Sequence, residues 1–410
     1  MSKVTSLSLG VLTALGGFVD MGELVTCSQA GATFQFSLLW TVAVGVLGIM
    51  VFTEMTGRVA IASGRGLYDV IRERLGFRLG VISLAMATLV NVLTIVIEIC
   101  GMALVFEIIL HVSYLWFVPL MAAVVLVVLW YASFKFVENS ASMLGLTILV
   151  FVVAAVALKP DWGSVGSQLI MPSIPPGSKL ALYGFSAVGL LGAFMTPYEV
   201  FFYSSGAVEE KWTGDDFITN RVTTILGYML GSTIVIGMMV VAAMVYFPHG
   251  VQSQTFENVP VPIELALGGV GLVFFACGAF ATTAGAAFES TLSTAYTVCQ
   301  FFGWDWGQDH EPKDAPLFSA SFLIAILGAL VVAFTGINPV KLTIYTTALA
   351  GFSLPFTFIP LLLVANDKRY MGEQANGTLS NMAAIFFLVI LCTVTLATLP
   401  LFILSGFGGG

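Results

Sequence analysis

Charge is what this sequence has least of. Only 9% of its 410 residues are Asp, Glu, Lys or Arg, while 58% are hydrophobic, a balance that excludes an ordinary soluble domain. The basic residues form no patch of the kind that holds nucleic acid. His111, His249 and His310 are not clustered, and neither a His-Glu-x-x-His nor a Gly-x-Ser-x-Gly pattern occurs; a membrane-embedded hydrolase is therefore disfavoured, and no enzyme activity or cofactor is expected. Cys27, Cys100, Cys277, Cys299 and Cys392 lie in or at the ends of apolar runs without close Cys/Cys or Cys/His spacing. They read as small core residues rather than disulfides or zinc ligands. Only Lys3 precedes the first apolar run, and no convincing cleavage site follows it, so a removable signal peptide is not expected.

What is present is a succession of apolar runs of about 20 residues or more, the length that crosses a bilayer as helix. Eleven spans are expected, near 7–33, 38–62, 80–110, 114–134, 137–158, 180–206, 221–247, 263–300, 316–336, 338–364 and 381–405. The arginine-bearing stretch 63–80 reads as a short interfacial helix. With the N-terminus inside, the cytoplasmic side holds Lys3, Arg58, Arg65, Arg72, Arg74, Arg78, Lys135, Lys211, Arg221, Lys313, Lys368 and Arg369. The outer side holds only Lys159, Lys179 and Lys341. That asymmetry predicts a multi-pass protein of a cell (inner) membrane with a cytoplasmic N-terminus and an outer C-terminus.

Two spans are interrupted. The first reads Gly16-Gly17-Phe18-Val19-Asp20-Met21-Gly22-Glu23 at mid-span, and the sixth reads Ala193-Phe194-Met195-Thr196-Pro197-Tyr198-Glu199. A carboxylate at mid-bilayer costs a few kcal/mol or more and persists only facing a partner, an ion or water. Glycine and proline weaken the helix at these same points, and non-helical backbone at that depth lines a protein interior. Paired interruptions in two halves of a chain point to a transporter's central site. The expected architecture is all-α and polytopic: two inverted five-span repeats over residues 1–158 and 159–364, with an eleventh span and tail over 365–410. A proline kink with a snorkelling Glu accounts for one such span, but not for two.

The residues carrying these features resemble a known family. Gly17-Phe18-Val19-Asp20-Met21-Gly22-Glu23 and the continuing Thr26-Cys27-Ser28-Gln29-Ala30-Gly31-Ala32 are similar to the first span of NRAMP divalent-metal transporters. Further similarity runs through Ala62-Ser63-Gly64-Arg65-Gly66-Leu67, Pro160-Asp161-Trp162, Leu354-Pro355-Phe356 and Pro360-Leu361-Leu362-Leu363 to Met371-Gly372-Glu373. The resemblance implies the inverted-repeat fold of LeuT-type carriers and a divalent cation as substrate. It implies Asp20 as ligand, Glu23 as a direct or water-mediated ligand, and the backbone carbonyl of Ala193 facing the ion. Thr196 offers a hydroxyl or only space; Glu199 points into the site or into its aqueous route. Around these, Tyr198, Gly22, Glu98, Glu54, Thr346, Thr347 and Ser353 are candidates for supporting the site or lining access to it.

The departures from the family pattern carry the selectivity. The family's first span has Asp-Pro-Gly-Asn where this chain has Asp20-Met21-Gly22-Glu23, and its Met-Pro-His becomes Thr196-Pro197-Tyr198. Thioether sulfur suits softer metals, whereas carboxylate, hydroxyl and carbonyl oxygen suit Mg, Ca and Mn. Thr for Met also leaves room for water, and Mg²⁺ keeps several of its waters when bound. The pattern looks like the divergent NRAMP-related magnesium transporter clade. The family's proton-carrying histidine is Tyr198 here, and its acidic pair on the third span reduces to Glu98 with Ile95. Uptake without proton coupling is therefore expected, with a proton-coupled Mn²⁺/Fe²⁺ carrier as the nearest alternative. An amino-acid carrier on the same fold is disfavoured, since Asp20 and Glu23 repel a substrate carboxylate. No obligatory protein partner is evident.

Overall fold

The computed structural model describes residues 18–137, 146–253 and 255–406. Its elements are helical throughout: α1 (Met21–Phe34), α2 (Leu39–Ser63), α3 (Leu67–Leu110), α4 (Val118–Tyr131), α5 (Val150–Ala157), α6 (Trp162–Ile170), α7 (Leu180–Ala193), α8 (Pro197–Glu209), α9 (Phe217–Val245), α10 (Val261–Phe302), α11 (Pro316–Ala333), α12 (Pro339–Ala365), α13 (Lys368–Met371) and α14 (Thr378–Leu404). Among the described residues nine helices, α7 and α8 counted as one, are long and apolar enough to cross a membrane; α5 and α6, bent by 117° at their junction, form a possible tenth. The expected first and fifth spans fall partly on residues 1–17 and 138–145, outside the described residues. Gly16 and Gly17 are among these.

Local chemistry sets the boundaries. Gly76 takes φ 77° inside α3, a conformation open to glycine. It separates the arginine-bearing 67–75 segment from the apolar run that follows, so the expected interfacial helix and third span are two limbs of one kinked element. Arg65 pairs with Glu73 at 2.6 Å, Arg74 with Asp367 at 2.6 Å, and Arg72 donates to the Phe301 carbonyl at 2.9 Å. Arg369 and Arg74 together hold the Asp367 carboxyl well below the usual carboxylate range. Pro316 and Pro339 open α11 and α12, where a missing N–H costs nothing.

The long helices pack around α1 and the α7–α8 pair. α10 lies along α3, α9 along α1, and α12 against α3, α7 and α14. Small residues permit the closest approaches. A Cβ on Gly31 of α1 would overlap the Met239 carbonyl oxygen of α9, and one on Gly192 of α7 would overlap the Thr347 carbonyl oxygen of α12. α14 is peripheral: Leu379, Leu396 and Ile403 stay largely exposed on it, as expected of side chains facing lipid. The core is thus a bundle closed around two helix ends that meet at its centre.

Candidate functional site

Those two ends are the beginnings of α1 and α8. Asp20 caps α1: its Oδ1 accepts from the Gly22 N–H, while the Asp20 N–H donates to Glu23 Oε2 at 3.0 Å. This reciprocal cap satisfies orphan donors of the first turn and starts α1 at the acids rather than before them. The other break spans Phe194–Thr196. Thr196 has extended backbone and Pro197 occupies the first helical position of α8, where proline is preorganised. Two helix N-termini, each carrying partial positive charge, therefore open onto the same interior.

The acids assemble there. Asp20, Glu23, Glu98, Glu199 and Glu289 are all at least nine-tenths buried. Tyr198 donates to Asp20 Oδ2 at 3.0 Å. Thr196 donates to Glu199 Oε1 at 2.6 Å, and Tyr228 donates to Glu199 Oε2 at 3.0 Å. Glu98 of α3 accepts the Met21 N–H with both oxygens at 3.2 Å. None of the described salt bridges gives Asp20, Glu23, Glu98 or Glu199 a Lys or Arg partner. Taking one carboxylate out of water costs several kcal/mol, and the described partners of these four acids are hydroxyl and backbone N–H donors rather than basic side chains. Among the described residues, no three His, Cys, Asp or Glu groups converge as a closed ligand set.

The remaining expected residues fall in three places. Gly22, Ala193 and Thr347 meet at the site: a Cβ on Gly22 would lie 3.2 Å from the Thr347 methyl and 3.8 Å from the Ala193 Cβ. Thr346 carries a buried hydroxyl without a hydrogen-bond partner, while Ser353 bonds back to the Ala350 carbonyl of its own helix at 2.8 Å. Glu54 is elsewhere. It pairs with Arg58 at 3.1 Å and Arg221 at 3.3 Å, beside a separate groove of about 290 Å³ between α2, α9 and α14.

Two methionine sulfurs neighbour the breaks. A Cβ on Gly48 of α2 would lie 3.1 Å from Met195 Sδ, and one on Gly101 of α3 would lie 3.2 Å from Met21 Sδ, so the Met195 thioether packs on α2 and the Met21 thioether on α3, one turn from Glu98. Cys27, fully buried one turn beyond Glu23, is the nearest thiol along α1. The three histidines are at exposed helix ends and loops.

Among the described residues a polar cavity reaches the site from one side. From Thr347 and Gly189 a cavity of about 90 Å³ runs along Thr26, Gln29, Thr33 and Ser186 to Gln252 and Ser253, with room for several waters. On the opposite side Phe18 stacks on Phe194 at 6.2 Å and meets Tyr228 edge-on at 5.3 Å. Tyr228 and its neighbour Thr53, 3.1 Å away, were not evident from the sequence. The available signal was a tyrosine and a threonine within apolar spans, which local pattern does not distinguish from packing residues.

A bundle of membrane-length helices in which two helix N-termini meet at a buried acidic centre is the architecture of a membrane carrier. Its fold is LeuT-like: the closed conformation of Mhp1, a nucleobase-cation-symport-1 family transporter, superposes with a TM-score of 0.64 at 14% identity, covering 98% of this chain and 92% of that one. A mutant of the Eremococcus coleocola manganese transporter reaches a TM-score of 0.80 at 21% identity, covering 99% and 89%. Residues 10–400 match the natural resistance-associated macrophage protein-like family, and the chain belongs to that NRAMP family. It is 27% identical over 393 residues to the divalent metal cation transporter MntH of Ralstonia nicotianae, covering 92% of this chain and 86% of the relative. MntH of Bacillus subtilis is 23% identical over 385 residues, with 88% and 84% covered. The protein is a multi-pass divalent metal cation transporter, not an enzyme.

Proposed function

We propose that this transporter carries Mg²⁺, with Mn²⁺ as a second cargo, bound partly hydrated and moved without a coupled proton, as its resemblance to the NRAMP-related magnesium transporter clade implies. The observation that carries the reading is the chemistry around the breaks: oxygen from Asp20, Glu23, Thr196 and Glu199, with threonine rather than methionine at position 196 and the Met195 sulfur packed against α2. Oxygen without sulfur suits hard cations. Acids that surround a centre without converging on it suit an ion that retains its waters, as Mg²⁺ does.

In this reading Asp20 is the principal ligand. Glu23 and Glu199 supply charge directly or through water, the Ala193 carbonyl and Thr196 hydroxyl complete the oxygen shell, and Tyr198 orients Asp20. Thr346 and Thr347 border the route from the cavity. Eleven spans, two inverted five-span repeats over 1–158 and 159–364 and a further span over 365–410 complete the architecture. The positive-inside asymmetry places the cavity outside and the aromatic layer of Phe18, Phe194 and Tyr228 toward the cytoplasm.

Alternating access then delivers the ion down the membrane potential. A divalent cation gains about 4.6 kcal/mol per 100 mV, twice the single-charge value. At about 1.4 kcal/mol per tenfold, that supports accumulation on the order of a thousandfold, so uptake requires no proton. The absence of histidine from the acidic centre supports the same conclusion.

The test uses purified protein in liposomes under a potassium-diffusion potential, negative inside, with dyes for internal Mg²⁺ and pH. Mg²⁺ entry without a pH change is the expected result. Mn²⁺ entry with acidification and no Mg²⁺ flux establishes the alternative, a proton-coupled Mn²⁺/Fe²⁺ carrier with a variant site.

A further inference from the structure

Glu199 is held from two directions. Thr196, the residue that begins its own half-helix, donates to Oε1, and Tyr228 of α9 donates to Oε2. Tyr228 has a single hydroxyl proton. With that proton given to the carboxylate, the 3.1 Å contact to Thr53 Oγ1 makes Thr53 the donor to the tyrosine oxygen. A directed chain results, from Thr53 on α2 through Tyr228 on α9 to Glu199 on α8.

The same tyrosine belongs to the layer that closes the site. Its ring meets Phe18 at 5.3 Å, two residues before Asp20. One turn along α9, Gly231 makes room for that phenylalanine: a Cβ there would overlap Phe18 Cδ1. Phe18 in turn stacks on Phe194 at the α7–α8 break. Tyr228 therefore touches the closing layer with its ring and a carboxylate of the acidic centre with its hydroxyl. The polar cavity leads away on the other side, along α1 and α7.

We infer that Tyr228 is a positioning residue that fastens the α8 half-helix over the ion site, so that releasing Glu199 from its hydroxyl opens the face toward which α8 runs. An ion leaving by that face must pass the Phe18–Phe194–Tyr228 layer. Separation of α8 from α9 breaks the Tyr228–Glu199 bond and withdraws the aromatic lid in one movement. A single hydrogen bond to a charged group is enough to bias a two-state equilibrium about tenfold, about 1.4 kcal/mol. This inference rests on the alternating-access reading of the acidic centre, and not on which divalent ion is carried.

The experiment reads accessibility without reading flux. Thr56 lies one turn beyond Thr53 on α2, beneath the layer, and is fully buried; Thr56→Cys supplies a reporter for an impermeant thiol reagent applied to oriented membranes from each side, without metal. The chain lacking the reporter gives the background of native cysteines. Tyr228→Phe, which keeps the ring, is expected to raise labelling about tenfold from the side on which α8 ends, the shift that one charge-assisted hydrogen bond supports. Tyr183→Phe is the control: it removes another buried tyrosine hydroxyl, one that accepts from Trp40 at 2.9 Å and donates to the Ser37 carbonyl at 3.0 Å, and should leave labelling unchanged. If Tyr228→Phe does not fold, Thr53→Val is read instead: it leaves the Tyr228–Glu199 bond but removes the donor that orients the tyrosine oxygen, so a smaller rise from the same side is expected, and no rise overturns the inference.

Unchanged labelling in the folded Tyr228 variant overturns the inference. So does an increase from both sides, or an equal increase in Tyr183→Phe, because either is general loosening. The underlying reading is checked separately in the Thr56→Cys parent: saturating divalent metal must change its labelling if the site is alternately exposed. Failure there strikes the carrier mechanism, whereas failure of the tyrosine variants alone strikes only the role of Tyr228.

Discussion

Asp20 and Glu23 cap one another: the Asp20 N–H donates to Glu23 Oε2 at 3.0 Å while the Asp20 carboxylate accepts from the first turn of α1. The two acids that make the centre electronegative are thus also the residues that make α1 begin there. Charge and geometry can be separated, because an amide oxygen accepts the same hydrogen bond without the charge. Glu23→Gln should therefore keep the helix start and thermal midpoint while weakening divalent binding at least tenfold, about 1.4 kcal/mol. Calorimetric titration of the purified protein measures it; undiminished affinity would remove Glu23 from the site. Asp20→Ala should abolish uptake in protein that still purifies folded.

Thr196 is the position where selectivity is expected to be set. Its hydroxyl is bonded to Glu199 at 2.6 Å, so Thr196→Met both frees one carboxylate oxygen and places sulfur at the break. Soft and borderline ions gain from a thioether, whereas Mg²⁺ does not. The preference for Cd²⁺ over Mg²⁺ in a competition assay should rise about tenfold, on the scale of one good ligand contact. An unchanged ranking would leave the selectivity argument without its main support.

Cys27 provides the opposite test. It is buried one turn beyond Glu23, and a thiolate there would be a soft ligand if it turned to the ion. The oxygen-only reading expects Cys27→Ser to leave both uptake and metal ranking unaltered. Loss of Cd²⁺ binding with Mg²⁺ binding intact would instead make the thiol part of the site.

Much of this organisation was legible in the chain. Acids beside glycine and proline at mid-span marked both breaks, because ionised side chains and weakened helix have few other reasons to coincide inside a membrane. Gly22, Ala193 and Thr347 do meet beside Asp20. Pairings across helices were less accessible. Glu54 looked like any other intramembrane acid, yet Arg58 lies four residues later on α2 and Arg221 comes from α9. Tyr228 has no local feature to distinguish it; its meaning arises only when α9 brings its hydroxyl to Glu199. The side to which Met195 turns its sulfur is similarly decided by Gly48 of another helix.

Gly192 shows how closely packing and site are linked. A Cβ there would overlap the Thr347 carbonyl oxygen and lie 2.7 Å from the Gly351 nitrogen, both backbone atoms that cannot rotate away. Gly192→Ala must push α7 from α12 immediately beside the Ala193 position. Overpacking of this kind costs about 1–3 kcal/mol. A lowered thermal midpoint together with weakened Mg²⁺ binding is expected, and a variant with wild-type values of both would show that the two helices can separate freely.

Glu54 and Arg58 should behave in the reverse manner, with stability affected and ion affinity spared. Arg58 is 5% exposed and donates to the Gln374 carbonyl at 2.8 Å, to Asn376 Oδ1 at 2.8 Å and to Glu54 at 3.1 Å. It therefore ties α2 to the turn between α13 and α14. Removing one partner of such a buried pair leaves an uncompensated charge and destabilises by about 3–5 kcal/mol. Glu54→Gln leaves an amide that still accepts from Arg58 but withdraws the compensating charge, and the loss should be smaller because Glu54 is partly exposed, at 21% of its side chain. The measurement is thermal unfolding in detergent beside the KM for Mg²⁺ in liposomes. A reduced midpoint with unchanged KM fits an acid that holds the helices together; a raised KM with unchanged midpoint would place Glu54 on the path of the ion instead.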